Sequence, residues 1–139
     1  MSCPSLARVD YLLQTASHLY DTSHIFLESA HHFAIENVRF LNLRADGTRE
    51  LVVESNAGGA CQTVSDLSVF AFTAGHIRQV LNVPARFKSC IPVGSEYEQE
   101  LDVPRTAGSH GNEFCFTKRT YVENGTRLKE PRVSYPCYP

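Results

Sequence analysis

Residues 56–83 read NAGGACQTVSDLSVFAFTAGHIRQVLNV, a run of small residues feeding the longest apolar-periodic segment of the chain. Val64, Leu67, Phe70, Ala74, Ile77 and Leu81 follow one another at intervals of three or four. That spacing places side chains on one helix face and buries them together, so a single central helix over residues 64–82 is predicted. Its ends are marked. Thr63 with Asp66 three residues on makes a capping-box-like start, and Pro84 sets a stop because the residue before a proline avoids helical dihedrals. The same stretch carries a competing pattern: residues 68–73, SVFAFT, are rich in β-formers and run into Gly75, which reads as a strand with a shorter helix behind it.

Toward the N-terminus, Leu6, Val9, Leu13, Ala16 and Tyr20 repeat at three and four, the pattern of an amphipathic helix over residues 5–20. Asp21-Thr22-Ser23 breaks it and caps a second helix over residues 23–36, with Phe26, Ala30, Phe33 and Ala34 on one side and His24, Glu28 and His31 on another. The two pack as a helical hairpin. After Asn37 the period falls to two. Residues 38–43 and 49–55 read as strands joined through Ala45-Asp46-Gly47-Thr48, because Asp-Gly suits the positive φ angles of a tight hairpin turn. In the returning strand Leu51 and Val53 take one face and Val52 the other.

Beyond Pro84 the chain is strand-rich. Residues 87–93 make a short strand, 97–103 alternate cleanly, and 113–122 with 127–135 flank Glu123-Asn124-Gly125-Thr126, a second hairpin turn. Pro131 cannot donate to a ladder, so the last strand belongs at an edge. The elements sum to one α+β domain over residues 1–139: two helices, a hairpin, the central helix, then a mostly antiparallel sheet covered on one face. In element order this resembles the cone-shaped fold of the nuclear-transport-factor-like superfamily, where a curved sheet and three helices enclose a pocket. That resemblance implies either a binding module or a pocket enzyme using histidine and carboxylate acid–base chemistry.

The 139-residue length suits a single core. With 42% hydrophobic and 20% charged residues and a net charge of -2, the composition is that of an ordinary globular protein and argues against duplex nucleic acid as a partner. Neither an apolar run long enough to span a membrane nor a basic-then-apolar leader at residues 1–10 is visible. Cys3, Cys61, Cys90, Cys115 and Cys137 are odd in number and lack a Cys-x-x-Cys pair, which predicts free thiols in a reducing, cytoplasm-like compartment. A secreted chain with disulfides is the competing expectation. Asn124-Gly125-Thr126 is a formal glycosylation sequon as well as a turn.

Four groups of side chains carry candidate chemistry. Cys61, just before the predicted central helix, would sit where unpaired N–H groups favour a thiolate; His110 would be its base and Asn112 or Glu113 the orienting group, a cysteine–histidine hydrolase arrangement. Tight-turn packing and burial as a core thiol are the simpler account of Cys61. His24, Glu28 and His31 would converge on one cation from a single helix turn, although helical metal sites of this type draw ligands from several helices and a solvated charged face accounts for the same spacing. Glu96, Glu98, Glu100 and Asp102 would share one strand face, repelling one another unless Lys118, Arg119, Arg127, Lys129 or Arg132 neutralise them. Phe114, Phe116, Tyr121, Tyr135 and Tyr138 lie among those basic residues, a mixture that stacks single-stranded bases, or simply lines a core. The leading expectation is a binding or protein-interaction module without catalysis or cofactor, its partner a protein or small molecule. The thiol hydrolase built on Cys61 and His110 is the first alternative.

Overall fold

The segment expected to form the central helix is instead two long paired strands. In the computed structural model, which describes residues 5–14, 19–29, 33–44, 49–59, 61–73, 76–92, 94–106 and 108–139, no described residue is helical. The elements are β1 (Ser5–Gln14), β2 (Leu19–Ser29), β3 (Phe33–Leu41), β4 (Glu50–Gly59), β5 (Gln62–Thr73), β6 (His76–Ser89), β7 (Glu96–Leu101), β8 (Phe114–Glu123), β9 (Thr126–Ser134) and β10 (Cys137–Tyr138). The α+β expectation and the helix-dependent cone resemblance are therefore overturned: the fold is all-β.

The physical cause is visible in β5. Leu67 and Val69 enter one apolar cluster, with Val52, Leu81, Val83, Leu101, Phe114 and Phe116, while Phe70 enters a second with Leu51, Val53 and Ile77. A strand covered on both faces reads as a continuous apolar run, and three- and four-residue intervals can be picked out of it by chance. The β-rich run at 68–73 was the better guide, since it forms the end of β5, but the segment behind Gly75 is strand β6 rather than a short helix. Pro84 does not stop a helix. It lies in β6 opposite Asp66, at a register shift where Ala85 is the extra residue before Arg86 meets Ser65, and a bulge is a position where a missing N–H is tolerated.

The two N-terminal helices are likewise replaced by β1 and β2, an antiparallel pair with Val9 opposite Ile25 and Asp10 opposite His24. This pair is a sheet of its own, and both strands approach β6. The remaining strands form one antiparallel sheet in the order β10-β8-β7-β6-β5-β4-β3, with β9 beside β8 on the edge it shares with β10.

Both expected hairpins form. β3 pairs with β4, Leu51 and Val53 separate from Val52 into the two apolar clusters, and the Asp46-Gly47 turn lies outside the described residues. Between β8 and β9, Asn124 and Gly125 adopt φ of 50° and 76°, the left-handed pair that an Asn-Gly turn supplies. β9 is an exposed edge strand, and its Pro131 falls in the register gap between Thr120 and Val122.

The sheet curls into a half-barrel. Flat, β3 and β8 would stand five strand spacings or about 24 Å apart. Instead, the Gly108 N–H donates to the Leu43 carbonyl at 3.0 Å, and the Arg44 guanidinium lies 5.9 Å from the centre of the Phe114 ring. Two disulfides staple the strands, Cys61–Cys90 across the ends of β5 and β6 and Cys115–Cys137 between β8 and β10.

Candidate functional site

The curl gathers polar side chains from six strands around one cavity of about 280 Å³. Glu36 comes from β3, Glu54 from β4, Ser65 from β5, Arg86 from β6, Gln99 from β7 and Arg119 from β8, with Ala85 tying the cavity wall to the larger apolar cluster. Ser65, Arg86, Glu98 and Arg119 are successive cross-strand partners, so backbone register alone brings them into one row.

Several of the charged groups lining the cavity find partners within the protein. Glu54 meets Arg39 at 3.5 Å, and Glu36 accepts a hydrogen bond from Asn56 Nδ2 at 2.7 Å. Glu98 accepts from the Tyr121 hydroxyl and lies 3.9 Å from Arg86 and 3.8 Å from Lys88. The Tyr121 hydrogen bond, working against burial and with help from Lys88, Arg86 and Arg119, holds the Glu98 carboxyl below its ordinary range; the same bond pushes the Tyr121 phenol upward.

Three of the side chains lining the cavity each carry one polar atom that is not matched. Ser65 Oγ, Arg86 Nε and Gln99 Oε1 are buried without a hydrogen-bond partner, Arg86 Nε facing the Glu98 carboxylate only at 3.9 Å, beyond hydrogen-bond reach. Ser65 is 5% exposed and Gln99 7%, so bulk water does not compensate them. The orientation of the Gln99 amide follows from chemistry. Its other end reaches the Pro84 carbonyl at 2.5 Å, and only the NH₂ can donate there, so the carbonyl oxygen is the end left open.

The residues singled out from sequence are scattered. Cys61 Sγ is bonded to Cys90 and offers no thiol. His110 Nε2 pairs with Asp102 at 2.8 Å rather than with Asn112 or Glu113. Its loop is held at the Leu43 end of the sheet by Gly108, while Cys61 follows the far end of the ten-residue β4, so about 30 Å of strand separates them. Asn112 lines a separate open cleft with Arg44, Arg78 and Phe114. The Glu113 carboxylate lies near the sulfurs of Cys115 and Cys137, all within 4.8 Å of one another, but those sulfurs are joined in a disulfide and are not thiolate ligands.

His24 and Glu28 fall on β2, where four residues span about 13 Å instead of one helix turn, so the premise of the metal triad fails; His31 lies outside the described residues. The acidic strip survives only in part. A register shift at Glu96 turns that side chain inward to accept from the Ser89 N–H at 2.9 Å, Glu98 and the exposed Glu100 both line the cavity, and Asp102 lies past the end of β7. Of the cations expected to neutralise it, Arg127 approaches Glu96 at 4.0 Å, whereas Arg132 pairs with Glu123 and Lys118 sits over the Tyr97 ring. Nor is there an aromatic stacking platform in the final hairpin. Phe114 and Phe116 are core, Tyr138 packs edge-on against Phe116, and Tyr135 stands exposed alone among the five.

No known protein family, curated protein or solved structure matches this chain. What the site can do must come from its own groups. Ser65, Arg86, Gln99 and Glu54 were not singled out from sequence, because nothing in a single chain marks a polar residue as buried and unpaired. The one signal available was the alternation of Glu98 with its neighbours, which placed that carboxylate among cations.

Proposed function

We propose that this protein is a binding domain without chemistry of its own, and that the cavity lined by six strands of the curled sheet receives a small polar ligand. The observation that carries this reading is the trio of buried, unpartnered atoms on Ser65, Arg86 and Gln99. Folding strips such groups of water, and a ligand or ordered water returns the lost hydrogen bonds. Against catalysis, Cys61 is tied up in a disulfide and the His110–Asp102 pair lies on a partly exposed loop with no nucleophile assigned to it. The two disulfides support an oxidising compartment rather than the reducing one expected from the cysteine count.

The test is a nuclear magnetic resonance screen of the folded protein with a library of small polar fragments. Saturable shifts that converge on Ser65 and Gln99 support a ligand site; shifts confined to the outer surface, or hydrolysis of ester and amide substrates abolished by His110→Ala, refute it.

An exposed apolar edge supports a second, compatible reading, recognition of a protein by strand addition. β3 ends the sheet and carries Ile35, Val38 and Phe40 at 41%, 51% and 58% exposure, an unusual load of apolar surface for an edge strand.

A further inference from the structure

Resting on the reading of the cavity as a ligand site, we infer that the ligand is a neutral polyhydroxylated molecule, a single sugar unit in size. The unmatched atoms differ in what they require. Gln99 Oε1 only accepts, Arg86 Nε–H only donates, and the Ser65 hydroxyl does both. A hydroxyl group donates and accepts at once, so neighbouring hydroxyls on one ring satisfy all three.

Ligands carrying charge of a single sign do not. A carboxylate or a fully ionised phosphate ester suits Arg86, Arg119 and Ser65 but brings no proton to Gln99 Oε1, and it would meet the carboxylates of Glu36, Glu54, Glu98 and Glu100 around the same cavity. An ammonium suits Gln99 and the carboxylates but offers nothing to Arg86 Nε. The matched state of Glu54 with Arg39, Glu36 with Asn56 and Glu98 with Tyr121 means that a ligand need not carry charge to be accepted.

Size points the same way. At about 280 Å³ the cavity exceeds the space of a single bridging water several-fold and lies just below the range of sites for drug-sized molecules. A six-membered sugar ring with its hydroxyls fills such a space. So small a ligand binds weakly, with a dissociation constant on the order of 1 mM.

The experiment is a titration of isotope-labelled protein with methyl glycosides of glucose, galactose, mannose and N-acetylglucosamine, and separately with glycine and inorganic phosphate. The expected result is saturable millimolar binding of at least one glycoside, seen at the Gln99 side-chain amide and the Ser65 backbone amide. Gln99→Met, which keeps length and removes the acceptor, weakens it about tenfold; Ser65→Ala, a smaller change, serves as the second variant should the first not fold. Glycine or phosphate binding at these residues with no glycoside response overturns the sugar assignment and leaves the ligand site standing. No response from any member of the panel, with the cavity holding ordered water only, overturns both.

Discussion

Arg44 Nε donates a 2.7 Å hydrogen bond to Glu50 Oε1 at a point where the glutamate is fully buried, and Glu50 Oε2 accepts from the Leu43 N–H at 3.0 Å. The carboxylate thereby fixes Leu43 and Arg44 beside the opposite edge of the sheet, where Arg44 also lies over the Phe114 ring. Curling of the sheet and burial of this ion pair are one event. Glu50→Ala removes the anion from a guanidinium that folding has largely desolvated, and the expected loss is about 3 kcal/mol. Glu50→Gln keeps the shape and an acceptor and loses less. Urea unfolding of both variants checks this, with the midpoint moving and the slope unchanged.

Each disulfide should matter comparably. The bridges close loops of 29 and 22 residues, for which chain entropy predicts about 3.5 kcal/mol apiece. Paired serine replacements of Cys61 with Cys90, or of Cys115 with Cys137, are expected to lower stability by that amount. Thiol titration of the unfolded, unreduced chain should find no more than one reactive group among the five cysteines. A reactive thiol at Cys61 in the native protein would reopen the hydrolase alternative.

How far the sequence leads depends on which faces are covered. The hairpin of β8 and β9 was legible because Asn124-Gly125 writes its backbone geometry directly, and β4 was legible, although Leu51, Val52 and Val53 are buried on both faces, because Asp46-Gly47 marks a turn just ahead of it. β5 was not. Leu67, Ser68, Val69, Phe70 and Ala71 are all buried, so alternation vanishes and a helical spacing can be read into the remainder. Pro84 misled for a related reason, since a bulge in a strand and the stop of a helix are both places for a residue lacking an N–H. The cavity was illegible in principle. Glu36, Ser65, Gln99 and Arg119 are far apart in sequence, and only strand order and curl bring them together.

The turn at Asn124 and Gly125 gives a clean conformational test. Gly125 holds φ of 76°, and its N–H donates to the Gly94 carbonyl at 2.7 Å. A Cβ added there would meet nothing nearer than the Pro92 carbonyl oxygen at 3.9 Å, so Gly125→Ala is not opposed by a clash. Its cost is the left-handed backbone itself, about 1–2 kcal/mol. Asn124→Ala, at φ of 50°, should lose about 1 kcal/mol for the same reason, since asparagine tolerates that region better than alanine. Thermal unfolding of the two variants checks both values.

Acid should act on Asp66 and Glu98 in opposite directions. Burial raises the Asp66 carboxyl above its ordinary 3.8, so the fold favours its neutral form. The stability tied to that proton is fully present below pH 3.8 and is lost as pH rises through the raised value. Asp66→Asn should therefore stabilise the protein at pH 7 and converge with the native chain at pH 3. Glu98 is held below its ordinary 4.5, chiefly by the Tyr121 hydroxyl, so its contribution is present above pH 4.5 and is lost as pH falls through the lowered value. Tyr121→Phe removes that hydrogen bond, moves the Glu98 titration back toward the ordinary range, and shrinks the acid-dependent loss. Carbon-detected titration of the two carboxyl groups, with urea unfolding at pH 3, 5 and 7, separates the effects. If Tyr121→Phe leaves the Glu98 titration where it was, the nearby cations rather than the phenol set its acidity, and the cavity row is organised by charge alone.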